Sequence, residues 1–194
     1  GFGQPTQFVL GEKTGCMPTK KWMQAHFKRS WRPADTLLTS IGQGNVLATP
    51  LQMVTFMAAL ANDGFYIKPR LTLDEPFEKK ELFILPRHMK CIQHALFQTV
   101  NSSTGTGRRA RLPEPYWHMS GKTATSQVRR ISQHERDHRV LSNKEIEWKR
   151  RDHAIFGGYA PSDQPRYACV VLVEHGGSGS LVAAPIARDI LRAL

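Results

Sequence analysis

The residues Ser120-Gly121-Lys122-Thr123-Ala124-Thr125-Ser126 gather a cation, several hydroxyls and small side chains into one short stretch. Read as a strand, Lys122 and Ala124 point to one face, and Thr123 and Thr125 to the other. At a sheet edge, the free backbone N–H and C=O groups would pair with an extended ligand. Hydroxyl and ammonium would meet a terminal carboxylate. The chemistry on offer is recognition of a short peptide ending in an acid. An ordinary edge strand has the same composition, so both readings stay open on these residues alone.

Other motifs carry less. His134-Glu135-Arg136-Asp137-His138 matches the HExxH spacing of zinc hydrolases. It sits in the most charged stretch of the chain, beside Arg129-Arg130 and Arg139, whereas a zinc helix needs apolar flanks and a third ligand. Chance is the better reading, and zinc hydrolysis the least favoured function. Gly105-Thr106-Gly107-Arg108-Arg109-Ala110 imitates a dinucleotide fingerprint but follows a helix rather than a strand, which predicts a plain loop. Gly176-Gly177-Ser178-Gly179 reads as a strand-to-helix turn. Basic runs at 108–111 and 149–151 lack aromatic interleaving or a known module, so no nucleic-acid partner is expected.

The elements that must position the Lys122 segment follow from pattern. Residues 1–48, rich in Gly and Pro, read as loop with short elements. Thr49-Pro50-Leu51-Gln52 is a capping box that opens a helix with Met53, Met57 and Leu60 on its apolar face and Gly64 as its stop. Phe65 to Leu73 looks extended but interrupted by Pro69. A second helix is predicted over Pro86–Val100, with Met89, Ile92, Leu96 and Val100 as its stripe. Tyr116–Met119 and Lys122–Val128 read as strand around a tight Ser120-Gly121 step. In residues 129–152, 13 of 24 are charged, which predicts a solvated surface excursion, partly helical at best. His153–Ala160 and Arg166–Glu174 read as strands. The run Ala168–Val173 has no polar alternation, which predicts burial on both faces at a sheet centre. A closing helix would use Val182, Ile186, Ile190 and Leu194. Helices, strands and a helix make an α+β chain, an antiparallel sheet flanked by helices.

The chain has 194 residues, a hydrophobic fraction of 40% and a formal charge of +11. That is enough for one core, and it favours an anionic partner such as a carboxylate-bearing substrate. The three cysteines are odd in number and far apart, which excludes a disulfide scaffold. No run approaches the ~18–20 apolar residues of a membrane span. The opening residues show no signal peptide, and the lack of an initial Met suggests an excised fragment.

In order along the chain, several segments resemble class B penicillin-binding proteins of the elongation type. Gly1-Phe2-Gly3-Gln4-Pro5-Thr6 is similar to the segment after that family's second motif. Thr39-Ser40-Ile41-Gly42-Gln43-Gly44, Thr49 to Met53 and Ala58 to Gly64 resemble the stretch before its Lys-Thr-Gly motif, and His118 to Thr125 the motif's own strand. Arg151-Asp152-His153-Ala154, Phe156 to Pro161 and Val173 to Gly179 resemble its last strands and final turn.

The resemblance implies a penicillin-binding, serine β-lactamase-like transpeptidase fold, with residues 1–194 its C-terminal portion. It implies a D,D-transpeptidase that cross-links peptidoglycan by acyl transfer from D-Ala-D-Ala stem peptides, is acylated by β-lactams, and uses no cofactor or metal. By position, Lys122 would supply positive potential and a proton network beside the nucleophile. Thr123 and Thr125 would bind the substrate carboxylate, and the Thr125 backbone N–H would be an oxyanion donor. Ala124 stands where the family usually has Gly, and its methyl would crowd a ligand lying on the strand.

The chain contains no Ser-x-x-Lys, Ser-x-Asn, Ser-x-Asp or Tyr-x-Asn. Nucleophile and base are therefore expected upstream of Gly1, the fragment alone is expected to be inactive, and the upstream half of the domain becomes a partner. The cell-wall elongation machinery and the periplasmic face of the inner membrane follow from the same resemblance. Without its upstream partner strands, the Cys169–Val173 strand would be left at an edge. The alternative is a non-catalytic binding or scaffolding remnant of a split or decayed gene, docking through that edge.

Overall fold

A computed structural model describes residues 1–114, 116–129 and 131–194. It divides into two units, residues 1–53 with 68–78, and residues 54–67 with 79–194.

The first unit holds two short helices, α1 (Lys20–Phe27) and α2 (Pro33–Ser40), in the stretch that the sequence reads as loop with short elements. The residues taken for breakers are start signals. The Thr19 side chain accepts the Trp22 N–H at 3.1 Å, capping α1 directly after Pro18. Pro33 sits in the first turn of α2, where a missing N–H costs no hydrogen bond. Cys16 and Leu47 exchange backbone hydrogen bonds of 2.7 and 2.9 Å.

The predicted capping box forms at the start of α3 (Pro50–Ala61): Thr49 N–H donates to Gln52 Oε1 at 3.0 Å and Gln52 N–H to Thr49 Oγ1 at 3.1 Å. Gln52 does more than cap. It is 2% exposed, and its Nε2 donates to the carbonyls of Gln4 and Thr14, each at 2.8 Å, so one buried amide ties the N-terminal loops to the helix start.

Asp35 receives two hydrogen bonds from Arg29, at 2.7 and 2.8 Å, and one from the Arg32 backbone N–H at 2.8 Å. The Arg29 guanidinium first, and then that N–H, lower its pKa from 3.8 to about 2. The folded value is the lower one. The stabilisation is therefore whole above the ordinary value and drains away as pH falls from there towards 2. An NMR titration of the Asp35 carboxylate should show a midpoint of about 2, rising towards 3.8 in Arg29→Ala. An unshifted wild-type midpoint counts against the two-pronged pair.

In the second unit, β1 (Phe65–Ile67) pairs antiparallel with β2 (Lys79–Glu81). β1 ends before Pro69, shorter than the expected extended run, since Pro lacks the ladder donor. α4 runs Pro86–Asn101. Among the described residues, the main sheet has three antiparallel strands, β3 (Ser120–Ser126), β4 (His153–Ala160) and β5 (Tyr167–Val173), in the order β3-β4-β5. Between β3 and β4 lies a short helix α5 (Gln133–Asp137). After β5, a π-helical turn, Gly179–Ala183, leads into α6 (Ala184–Arg192). No helix among the described residues is long and apolar enough to cross a membrane.

One face of the sheet, with Ala154, Phe156, Ala160 and Val171, packs with Val100, Leu112, Ala187 and Leu191. The other, with Tyr159, packs with Met57 and Leu60 of α3 and with Met89 and Leu96 of α4. The α+β sandwich of helix, antiparallel sheet and helix is as the sequence predicts.

Four expectations need correcting. Tyr116–Met119 is not strand, and β3 runs unbroken through the Ser120-Gly121 step. The β5 run does contribute to clusters on both faces, but among the described residues it has β4 as its one neighbour. It is therefore a rim and not a centre, and its side chains are mostly half-buried. That is the edge position the resemblance implies. On α6, Ile186 and Ile190 are 39% and 44% exposed, and Leu194, beyond its end, is 64% exposed, while Ala184, Ala187 and Leu191 are buried. Alanines let the helix lie close to the sheet, and close packing outweighs the size of the larger apolar stripe. On α4, Met89, Leu96 and Val100 are buried as expected, but Ile92 is 40% exposed.

Candidate functional site

Lys122, Ala124 and Thr125 lie exposed on β3, and Thr123 is half-buried. Register assigns their faces, because directly opposed residues share one. Thr123 opposes Phe156, on the α6 side, while Lys122 opposes Gly157, whose face meets Met57 of α3. Lys122 and Ala124 thus look to the α3 and α4 side, and Thr123 and Thr125 to the other.

The direction of the backbone groups matters more. A Cβ on Gly179 would sit 2.3 Å from both the Ala124 and the Ile155 carbonyl oxygens. Two carbonyls that converge on one point belong to a pair turned towards each other, so Ala124 and Ile155 form a hydrogen-bonded pair of the ladder. By alternation, the N–H and C=O groups of Thr123 and Thr125 point away from β4 into the open rim. The Lys122 side chain agrees with this: its Nζ curls over the rim and donates to the Thr123 carbonyl at 2.7 Å.

β3 is braced from the α6 side. Thr123 Oγ1 donates to Thr106 Oγ1 at 3.1 Å, and Ser180 Oγ donates to the Thr106 carbonyl at 2.7 Å. At its start, Ser120 Oγ donates to Ser162 Oγ at 2.8 Å, and Ser162 Oγ to the His118 carbonyl at 3.0 Å. Burial pushes the Tyr159 phenol up, against the lowering effect of its hydrogen bond with Ser120. On β5, burial pushes the Cys169 thiol up to about 11, that of an inert packing residue.

Sequence reasoning missed the bracing residues Thr106, Gly179 and Ser180. They fall in segments read as a plain loop and a turn. The one available signal was the clustering of glycines at 105–107 and 176–179, which marks places where backbones approach closely. The HExxH residues serve the local helix. The Glu135 carboxylate is held by the Ser132 backbone N–H at 3.1 Å and then by Arg129, 2.7 Å away, which in that order lower its pKa. The His134 and His138 rings stack on each other. Arg130 lies outside the described residues.

The second unit thus presents, among the described residues, a three-stranded antiparallel sheet between helices with an open Lys-Thr strand at its rim. Residues 1–192 match the family described as the penicillin binding protein transpeptidase domain, and the chain belongs to that family. It is 34% identical over 98% of its length to the peptidoglycan D,D-transpeptidase MrdA of Haemophilus influenzae, covering 30% of that protein. It is 29% identical over 98% of its length to the Escherichia coli protein of the same name, covering 31% of it. Among solved structures, it is similar to Pseudomonas aeruginosa PBP2 in complex with WCK 5153, with a TM-score of 0.80, 32% identity and coverage of 100% of this chain and 41% of that one. It also resembles the Helicobacter pylori penicillin-binding protein PBP2 solved in complex with MreC, with a TM-score of 0.80, 26% identity and coverage of 100% and 34%. The chain spans about a third of the length of the curated relatives it matches.

Proposed function

We propose that this chain is the substrate-gripping, C-terminal portion of a peptidoglycan D,D-transpeptidase domain. The observation that carries the reading is the open rim of β3, where the N–H and C=O groups of Thr123 and Thr125 face outward beside the exposed Lys122 ammonium. A stem peptide lies along this rim as an added strand. Its terminal carboxylate meets the Lys122 ammonium and the hydroxyls of Thr123 and Thr125. The Thr123 hydroxyl turns from Thr106 to do so.

The Thr125 N–H donates to the oxyanion that forms when the penultimate carbonyl is attacked, a contribution of about 10²–10³ in rate for one such donor. The attacking serine and its base lysine come from residues outside these 194. β-Lactams mimic the D-Ala-D-Ala end and take the same rim. No cofactor takes part. The upstream half of the domain completes the sheet along β5. The whole protein works with the cell-wall elongation machinery on the periplasmic face of the inner membrane, where a charge of +11 suits anionic lipid and acidic wall polymer.

Incubating the 194-residue chain with a fluorescent penicillin should leave no covalent label, since loss of the nucleophile costs about a millionfold in a comparable serine enzyme. In an intact domain carrying this segment, Lys122→Ala should slow acylation about 100-fold. A labelled 194-residue chain, or an intact domain indifferent to Lys122, overturns the assignment.

A further inference from the structure

A concave surface lies in the first unit, away from the β3 strand in sequence. It is an open groove of about 860 Å³ between α1 and α2, lined by Lys20, Gln24, Trp31, Arg32, Thr36 and Leu37 among others. Trp31 also lines a small cavity with Met23 and Leu38, so the residue borders both. The ring is fixed in plane because its Nε1 donates to Thr36 Oγ1 at 2.8 Å. That leaves the Thr36 hydroxyl hydrogen free to donate outward.

The charges are one-sided. No acid lines the groove. Asp35, the acid next to it in sequence, is salt-bridged to Arg29, with the Arg32 charge acting on it only through space. Lys20 and Arg32 form no ion pair among the described residues. A fixed aromatic face, two cations outside any salt bridge among the described residues, and amide and hydroxyl groups at the edge form a complementary set. They fit a ligand that is flat and apolar on one side, rich in hydroxyl and amide groups at its edges, and carries carboxylates.

We propose that this groove binds a carboxylate-bearing saccharide strand, with Trp31 as the stacking platform and Lys20 and Arg32 as the carboxylate partners. This rests on the transpeptidase reading, whose polymer is a glycan with peptide acids where stem peptides are attached and free lactyl acids where they are not. It adds a place for the sugar backbone, distinct from the peptide rim on β3. An anionic membrane surface would also attract the cations, but it is flat and has no use for a recessed, hydrogen-bonded indole.

The test titrates a short, peptide-free oligosaccharide of alternating N-acetylglucosamine and N-acetylmuramic acid into the isotopically labelled chain. The signal followed is the Trp31 indole N–H, assigned by its loss in Trp31→Ala. The resonance should shift saturably. Affinity should fall about tenfold in Trp31→Ala and about threefold in each of Lys20→Gln and Arg32→Gln, with weakening by salt. The two surface glutamine variants keep the test valid if removal of the indole disturbs folding.

No shift at millimolar saccharide overturns the proposal, as does equal affinity for neutral chitin oligosaccharide. Binding to vesicles of anionic lipid with none to the saccharide also overturns it. The penicillin experiment reads the other site: saccharide binding by a segment whose intact domain takes no penicillin would sink the transpeptidase reading alone. Acylation of that domain with a silent groove would sink this one alone.

Discussion

Truncating Phe156 to alanine should destabilise the second unit by about 4 kcal/mol, the usual cost of deleting a fully enclosed aromatic side chain. The ring is 0% exposed and clusters with Val100, Leu112, Val171 and Leu191. Its edge lies over two opposed glycines. A Cβ on Gly121 would come within 2.5 Å of Phe156 Cζ, and one on Gly158 within 2.8 Å of its Cε1. The glycine pair has no side chain with which to refill the space, so the void persists and the residual cavity adds to the lost transfer energy. Far-ultraviolet circular dichroism in urea should show the midpoint falling by roughly 2 M. A shift of only a few tenths molar would mean that the ring is not the keystone of that face.

Gly179→Ala is expected to cost about 3 kcal/mol and, more tellingly, to displace β3. The new methyl would sit 2.3 Å from two carbonyl oxygens and 3.1 Å from the Ala124 nitrogen. All three are backbone atoms of the ladder, so no flexible side chain can yield. Either the turn before α6 lifts off the sheet, losing the Ser180 brace on Thr106, or the β3–β4 pairing opens at Ala124. The two outcomes differ by hydrogen exchange. In the second, the Ala124 amide loses its protection while amides at the start of α6 keep theirs. Unchanged stability and unchanged exchange would show that Gly179 is not wedged against the sheet.

These two sites mark what the sequence could and could not disclose. Where one local signal acts alone, the reading was good. Thr49 and Gln52 form the reciprocal cap that their spacing predicts. β4 begins at His153 and ends at Ala160 because its small and apolar residues leave no alternative until Pro161. Reading failed where one residue type serves two purposes. Pro18 and Pro33 punctuate loops in most contexts, yet here they sit at helix starts. On α6, the bulky aliphatic stripe and the alanine face compete for the sheet, and a one-dimensional pattern cannot weigh closeness of approach against size.

The Lys122 segment was conspicuous as chemistry. Its outward N–H and C=O groups were not, because which residues of a strand face its neighbour is a matter of register. Register depends here on contacts with Ile155 and Gly179, both more than 30 residues away.

The perch of the Lys122 ammonium on the Thr123 carbonyl makes pairing at that carbonyl an exchange. A visiting amide that claims the carbonyl evicts the ammonium, and the evicted charge is left seeking an anion a few ångströms along. A guest with a free acid at its end settles that debt. One whose end is capped as an amide does not, so discrimination arises from what the protein gives up as well as from what it gains.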